Sequence, residues 1–161
     1  MRCLISLSLG MALASGSFGW ASDRTDEARD ILRAAFPEVQ LYTEGAQVAQ
    51  LYGTEFGYGT SAEDTANAFV QTYAGVFGVA ADDLAPGHSV QEDMYTVPVM
   101  YDADTGTYRF TMVCYRQYRS GWPVYGADLR LLVRNEPGYA LVLANSALRD
   151  LGDYVVPAQA A

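Results

Sequence analysis

The sequence contains no lysine, one histidine and only two cysteines among its 161 residues. All ten basic residues are arginines, and nineteen acidic residues oppose them, which gives a formal net charge of −9 at pH 7. Nucleic-acid binding and adsorption to anionic lipid both depend on positive charge at the contact surface. The charge balance therefore disfavours nucleic acid and anionic membranes as partners.

The scarcity of histidine and cysteine also limits the chemistry that the chain can perform. A catalytic zinc site takes two or three imidazoles, and His88 stands alone in a predicted loop. The HExxH motif of metallopeptidases and the GxSxG motif of serine hydrolases are both missing. Asp102 to Gly106 resembles the opening of a calcium loop, but Val113 stands where the last ligand should be, so a turn is favoured. We expect a protein that is not an enzyme and that holds no metal or cofactor.

The first 21 residues have the pattern of a signal peptide. Arg2 precedes an apolar run from Cys3 to Ala14, which is too short to span a bilayer. Small residues at Gly19 and Ala21 predict cleavage after Ala21. We therefore expect a secreted or periplasmic monomer with signal peptide 1–21, leader helix 22–38, a domain over 39–151 and tail 152–161.

Two segments have helical periodicity. The first runs from Asp26 to Phe36, and its apolar side is predicted to contain Ile31, Leu32, Ala35 and Phe36. The second is stronger, because Ser61 to Asp64 resembles a capping box and apolar residues then recur at helical spacing as far as Phe77. Gly78 is the predicted left-handed residue at its end.

The remaining segments alternate as strands do. A hairpin is predicted from 39–43 and 46–52, followed by strands over 94–101, 107–118, 127–134 and 139–146. Pro98 places the 94–101 strand at an edge or a bulge. The fold class is α+β: an antiparallel β-sheet meander with one main amphipathic helix on one face, plus the hairpin and the leader helix. Alternation in the longest strand assigns Tyr108, Phe110, Met112 and Cys114 to the core, and Arg109, Thr111, Val113, Tyr115 and Gln117 to solvent.

A sequence motif joins two of these strands. One strand ends in Gln117-Tyr118, the chain turns at Gly121, and the next strand follows from Pro123-Val124. This pattern resembles the FTP domain, the fungalysin and thermolysin propeptide motif, and the upstream helix resembles the family's helix that ends in Phe-Gly. The residues that match the family are Phe69, Tyr73, Phe77, Gly78, Gln117, Tyr118, Gly121, Pro123, Val124, Tyr125, Gly126, Ala127 and Leu129.

The resemblance implies an exported, non-catalytic propeptide-like module that inhibits a thermolysin-like zinc metallopeptidase or assists its folding, in trans, or in cis within a longer precursor. The alternative is a stand-alone secreted or envelope protein-binding module of the same fold. Trp122 and Tyr125 could either contact the partner or close the end of the core. The residues expected to bind the partner are Arg109, Thr111, Tyr115, Gln117, Trp122 and Tyr125.

Overall fold

A computed structural model describes residues 20–87, 95–152 and 154–155, and within them the chain forms an antiparallel sheet of seven strands with two α-helices. The architecture is α+β, as predicted, with more sheet than helix. The helices are α1 (Trp20–Ala35) and α2 (Ala62–Tyr73), and the strands are β1 (Gln40–Glu44), β2 (Gln47–Tyr52), β3 (Leu84–Pro86), β4 (Thr96–Asp102), β5 (Thr107–Arg119), β6 (Trp122–Arg134) and β7 (Leu141–Ser146).

The strands lie in the order β1-β2-β7-β6-β5, and β5 then pairs with both β3 and β4 along its other side. The predicted meander corresponds to β5, β6 and β7, which pair in chain order. The predicted hairpin is β1 and β2, with Gly45 in the left-handed region between them. The short strand β3 was not predicted. His88, Met94 and most of the predicted signal peptide (residues 1–19) lie outside the described residues.

Local sequence signals fix both ends of α2. The Ser61 hydroxyl accepts a hydrogen bond from the Asp64 backbone nitrogen at 3.1 Å. The Asp64 carboxylate accepts bonds from the Thr60 backbone nitrogen and hydroxyl, which lower the pKa of Asp64. A 3₁₀ turn, Ala74–Phe77, continues the helix to Gly78, whose φ of 77° ends it. The Ser61 half of the predicted capping box is confirmed, but the Asp64 carboxylate bonds to Thr60 and not back to the Ser61 nitrogen. The predicted C′ glycine is confirmed.

The leader helix α1 starts at Trp20, six residues before the predicted start at Asp26. Leu32 is buried and the Phe36 ring lies 6.0 Å from that of Tyr73. Ile31, however, is exposed, and so is Ala35. The predicted apolar side is therefore only partly covered, because α1 packs through a single narrow stripe, and Ile31 is turned about 100° from Leu32 on a helix of 3.6 residues per turn.

The predicted faces of β5 are reversed. Val113, Tyr115 and Gln117, expected in solvent, are buried on the face that α2 covers. Cys114 is buried as predicted, but on the opposite face, where it lies directly across from Arg130 of β6. Tyr108 is exposed and does not belong to the core. The face with Tyr108, Phe110, Met112 and Cys114 is the more apolar one in the sequence, yet α2 covers the other face. Alternation separates the two faces but does not determine which of them meets the helix.

Strand β4 lies at a sheet edge, as Pro98 predicted. Among the described residues it pairs with β5 alone, and the pairing skips Met100, which has a φ of 59°. A positive φ is uncommon for a residue with a side chain and distorts the strand locally. The proline and this distortion together make β4 a poor template for a further strand.

Candidate functional site

Strands β5 and β6 are joined by a two-residue turn, and the resulting tip is the most exposed aromatic feature of the motif region. Ser120 and Gly121 have φ values of 51° and 81°. Two consecutive positive φ values define a type I′ turn, whose twist matches that of the flanking strands. The turn at Gly121 was predicted from the sequence and is confirmed.

A large bulge follows the turn in β6. Tyr118 pairs with Pro123, whereas Arg116 pairs with Asp128, so residues 124–127 lie opposite Gln117 alone. Gly126 has a φ of 66° within this bulge. Tyr125 projects from it with 93% of its surface exposed, and Trp122 beside the turn is 51% exposed. Tyr125 therefore does not close the end of the core, and Trp122 is only half buried.

The base of this hairpin is tied to the chain that follows β7. The Gln117 amide donates to the Arg149 carbonyl at 2.8 Å and accepts from the Arg149 nitrogen at 2.9 Å. Arg119 donates to the Gly152 carbonyl at 2.7 Å, and its guanidinium lies 3.8 Å from the Asp83 carboxylate. These contacts hold the hairpin in one orientation before any partner arrives.

The residues expected to bind a partner do not form one site. Arg109 lies at the other end of β5, 4.0 Å from the Asp102 carboxylate, and the Thr111 hydroxyl nearby donates to Asn135. Ten residues of extended strand separate Arg109 from Arg119, a distance of roughly 33 Å. Arg109 and Thr111 therefore lie far from the hairpin tip.

Tyr115 and Gln117 are buried, so their predicted role as contact residues is wrong. The Tyr115 hydroxyl donates to the side-chain oxygen of Asn67 on α2 at 2.6 Å and lies 3.1 Å from the Tyr95 hydroxyl. Burial is the main cause that raises the pKa of Tyr115 well above its ordinary value. Tyr115 connects the sheet to the helix. Of the six predicted contact residues, Trp122 and Tyr125 are the two that are exposed at the hairpin tip.

The residues that carry the family resemblance mostly build the fold. Phe69, Phe77 and Leu129 belong to the core, and Tyr73 packs against it. The hairpin residues of the motif set its backbone: Gln117 supplies the bonds to Arg149, Tyr118 pairs with Pro123, Gly121 and Gly126 take positive φ, and Val124 lies in the bulge between them.

A second surface was missed in the sequence. On the face of the sheet away from α2, which we call the outer face, Met112 lies directly opposite Leu132, and Leu132 opposite Leu143. Val97 of β4 lies opposite Met112 and completes a row across four strands. All four side chains are partly exposed, and the core cluster of the described residues contains none of them. The sequence did contain a signal for this surface, because β5 and β6 carry apolar residues on both faces.

A cleft of about 520 Å³ lies between the start of α1 and the segment after β7. Arg24, Arg119 and Arg149 line it together with Asp83 and Asp150, so its charges are mixed. Within the described ranges, no three metal-ligating side chains converge. None of the helices described there combines the length and the apolar character needed to cross a bilayer.

Comparisons with known proteins found no matching family model, no similar curated protein and no similar solved structure. Function must therefore be inferred from the chain's own residues and their arrangement.

Proposed function

We propose that this chain is an exported, non-catalytic protein-binding module that inhibits a thermolysin-like zinc metallopeptidase, or assists its folding. The observation that supports this most is the pair of aromatic side chains, Trp122 and Tyr125, exposed on a hairpin of fixed conformation. The resemblance to the FTP domain supports the class of partner, because its motif residues are those that shape this hairpin.

Tyr125 contributes little to the fold and is available for binding. Only about 7% of its surface is buried, so at roughly 25 cal/mol per Å² and a side chain of about 200 Å² its burial contributes about 0.4 kcal/mol. The same side chain buried in a partner would contribute several times more. Trp and Tyr are the residue types that dominate measured interface energies.

The fixed conformation of the hairpin also favours binding. A loop that is ordered only on binding loses conformational entropy, and that loss reduces affinity. The type I′ turn, together with the contacts of Gln117 and Arg119 to the segment after β7, fixes the hairpin in advance. A rigid tip of this kind can occupy a substrate cleft and block it. Binding to the native peptidase also stabilises that enzyme by mass action, which is how such a module assists folding.

The experiment is an inhibition assay on a thermolysin-like peptidase secreted by the organism that produces this chain, with a fluorogenic peptide substrate. We expect dose-dependent inhibition by the wild-type protein. Tyr125→Ala should raise the inhibition constant about 30-fold, equivalent to about 2 kcal/mol, while the melting temperature stays unchanged.

The matched control is Tyr58→Ala, because Tyr58 is 59% exposed but lies in the loop before α2, away from the hairpin. It should leave the inhibition constant within about twofold, as surface substitutions outside an interface usually do. Inhibition that is insensitive to Tyr125→Ala would contradict the assigned surface. No inhibition of any such peptidase would instead favour the stand-alone binding module.

A further inference from the structure

The outer face of the sheet has an apolar row without a covering helix in the described chain. The row consists of Val97, Met112, Leu132 and Leu143, one residue from each of four neighbouring strands. With strands about 4.8 Å apart, the row is roughly 14 Å long. Both described α-helices contribute their buried residues to the core on the opposite face. An apolar sheet face of this kind is normally buried against another layer.

The row widens towards the β4–β5 turn. Val99 lies opposite Phe110, and Tyr101 lies opposite Tyr108 with their rings 5.2 Å apart. Tyr101 is 61% exposed. The apolar surface is therefore continuous from Leu143 in the middle of the sheet to the edge strand.

Two arginines flank the row. Arg130 and Arg134 precede and follow Leu132 by two residues on the same strand, so they share its face and lie on opposite sides of the row. Their side chains are 43% and 41% exposed. Arg130 pairs with Asp128 and Arg134 with Glu55. Each planar guanidinium has five N–H donors, more than one carboxylate can occupy.

These charges identify the kind of occupant. The chain as a whole carries a net charge of −9, yet this apolar row is bordered by cationic groups. A second copy placed face to face would bring arginine close to arginine, which disfavours self-association through this surface. We propose that the outer face docks an amphipathic helix of a partner protein, with apolar side chains on the row and acidic side chains along both flanks.

A row of 14 Å corresponds to about nine residues of helix at 1.5 Å per residue, and the flanking arginines are about 7 Å from the row on either side. A helix of roughly 10 Å diameter fits between them. This surface lies outside the hairpin tip, so the inference does not depend on the metallopeptidase being the partner.

The test uses a fluorescein-labelled synthetic peptide of eighteen residues, with leucines along one side of the helix and glutamates on both flanks. The control peptide has lysine in place of every glutamate. By fluorescence anisotropy at low salt, the glutamate peptide should bind at least about tenfold more tightly than the lysine peptide, and the difference should shrink at about 0.5 M salt. Leu132→Gln and Arg134→Gln should each weaken binding of the glutamate peptide, whereas Tyr125→Ala should not.

Circular dichroism of each variant checks that the fold is retained. If Leu132→Gln fails to fold, Arg134→Gln still tests the inference, because it changes only a half-exposed side chain. Equal binding of the two peptides, or no binding of either, would overturn the inference. A concentration-dependent dimer in sedimentation that Leu132→Gln or Arg134→Gln abolishes would also overturn it, because the occupant would then be a second copy. Loss of peptidase inhibition in Tyr125→Ala with unchanged peptide binding separates this surface from the hairpin.

Discussion

The Gln117 amide pairs with the backbone of Arg149 across 32 residues of sequence, and Gln117→Leu tests how much this contact stabilises the hairpin. Leucine has a similar volume but neither donates nor accepts. The substitution removes two hydrogen bonds of roughly 1 kcal/mol each and leaves a backbone N–H and C=O without their partner, at a further cost of up to about 2 kcal/mol. We expect the free energy of unfolding to fall by about 2–4 kcal/mol.

Urea denaturation followed by circular dichroism measures this change, with Gln47→Leu as the control because Gln47 is exposed on β2. Limited trypsin digestion adds a local readout, because Arg149 is itself a cleavage site and release of its backbone should accelerate cleavage there. If Gln117→Leu costs no more than Gln47→Leu, and cleavage after Arg149 is not accelerated, the proposed anchoring of the hairpin is wrong.

Three further predictions concern the core and the backbone. Tyr115→Phe should lower the free energy of unfolding by about 1–2 kcal/mol in the same urea assay, because it removes a buried hydroxyl donor; an unchanged midpoint would contradict the network. Burial raises the pKa of the Cys114 thiol, so the folded chain keeps the thiol proton at a pH where the unfolded chain has released it. Stability should therefore fall as the pH rises above about 9, and a polar thiol reagent should label Cys114 only after unfolding; rapid native labelling would contradict its burial. Gly59→Ala should destabilise the fold by about 3 kcal/mol, since its Cβ would lie 2.8 Å from the Thr65 nitrogen. Gly126→Ala should cost about 1 kcal/mol, because its positive φ is the only penalty. Equal thermal shifts of the two variants would refute this contrast.

The elements that the sequence predicts well are those with local causes. Ser61 and Asp64 fix the start of α2 within one turn, and Gly78 fixes the end of its 3₁₀ extension. Gly45 and Gly121 mark two tight turns in the same way, because a positive φ is a property of single residues. Such signals need no knowledge of the rest of the fold.

The errors concern interactions between distant segments. The face of β5 that meets α2 depends on partners such as Asn67, which the Tyr115 hydroxyl reaches across 48 residues. Gln117 was assigned to solvent by the alternation of the strand, but its amide is buried and the backbone of Arg149 satisfies its hydrogen bonds. The apolar outer face was mistaken for core for the same reason, since periodicity gives two faces and does not say which one is covered.

Hydrogen–deuterium exchange of the purified protein, with and without a thermolysin-like peptidase from the same organism, tests the central claim most directly. We expect slower exchange on binding at the backbone amides of residues 118–127, which form the hairpin tip and the bulge that bears Tyr125. The amides of the β1–β2 hairpin, at the other side of the sheet, should be unchanged. A complex that inhibits the peptidase while leaving residues 118–127 unprotected, or the lack of any complex, would contradict the account.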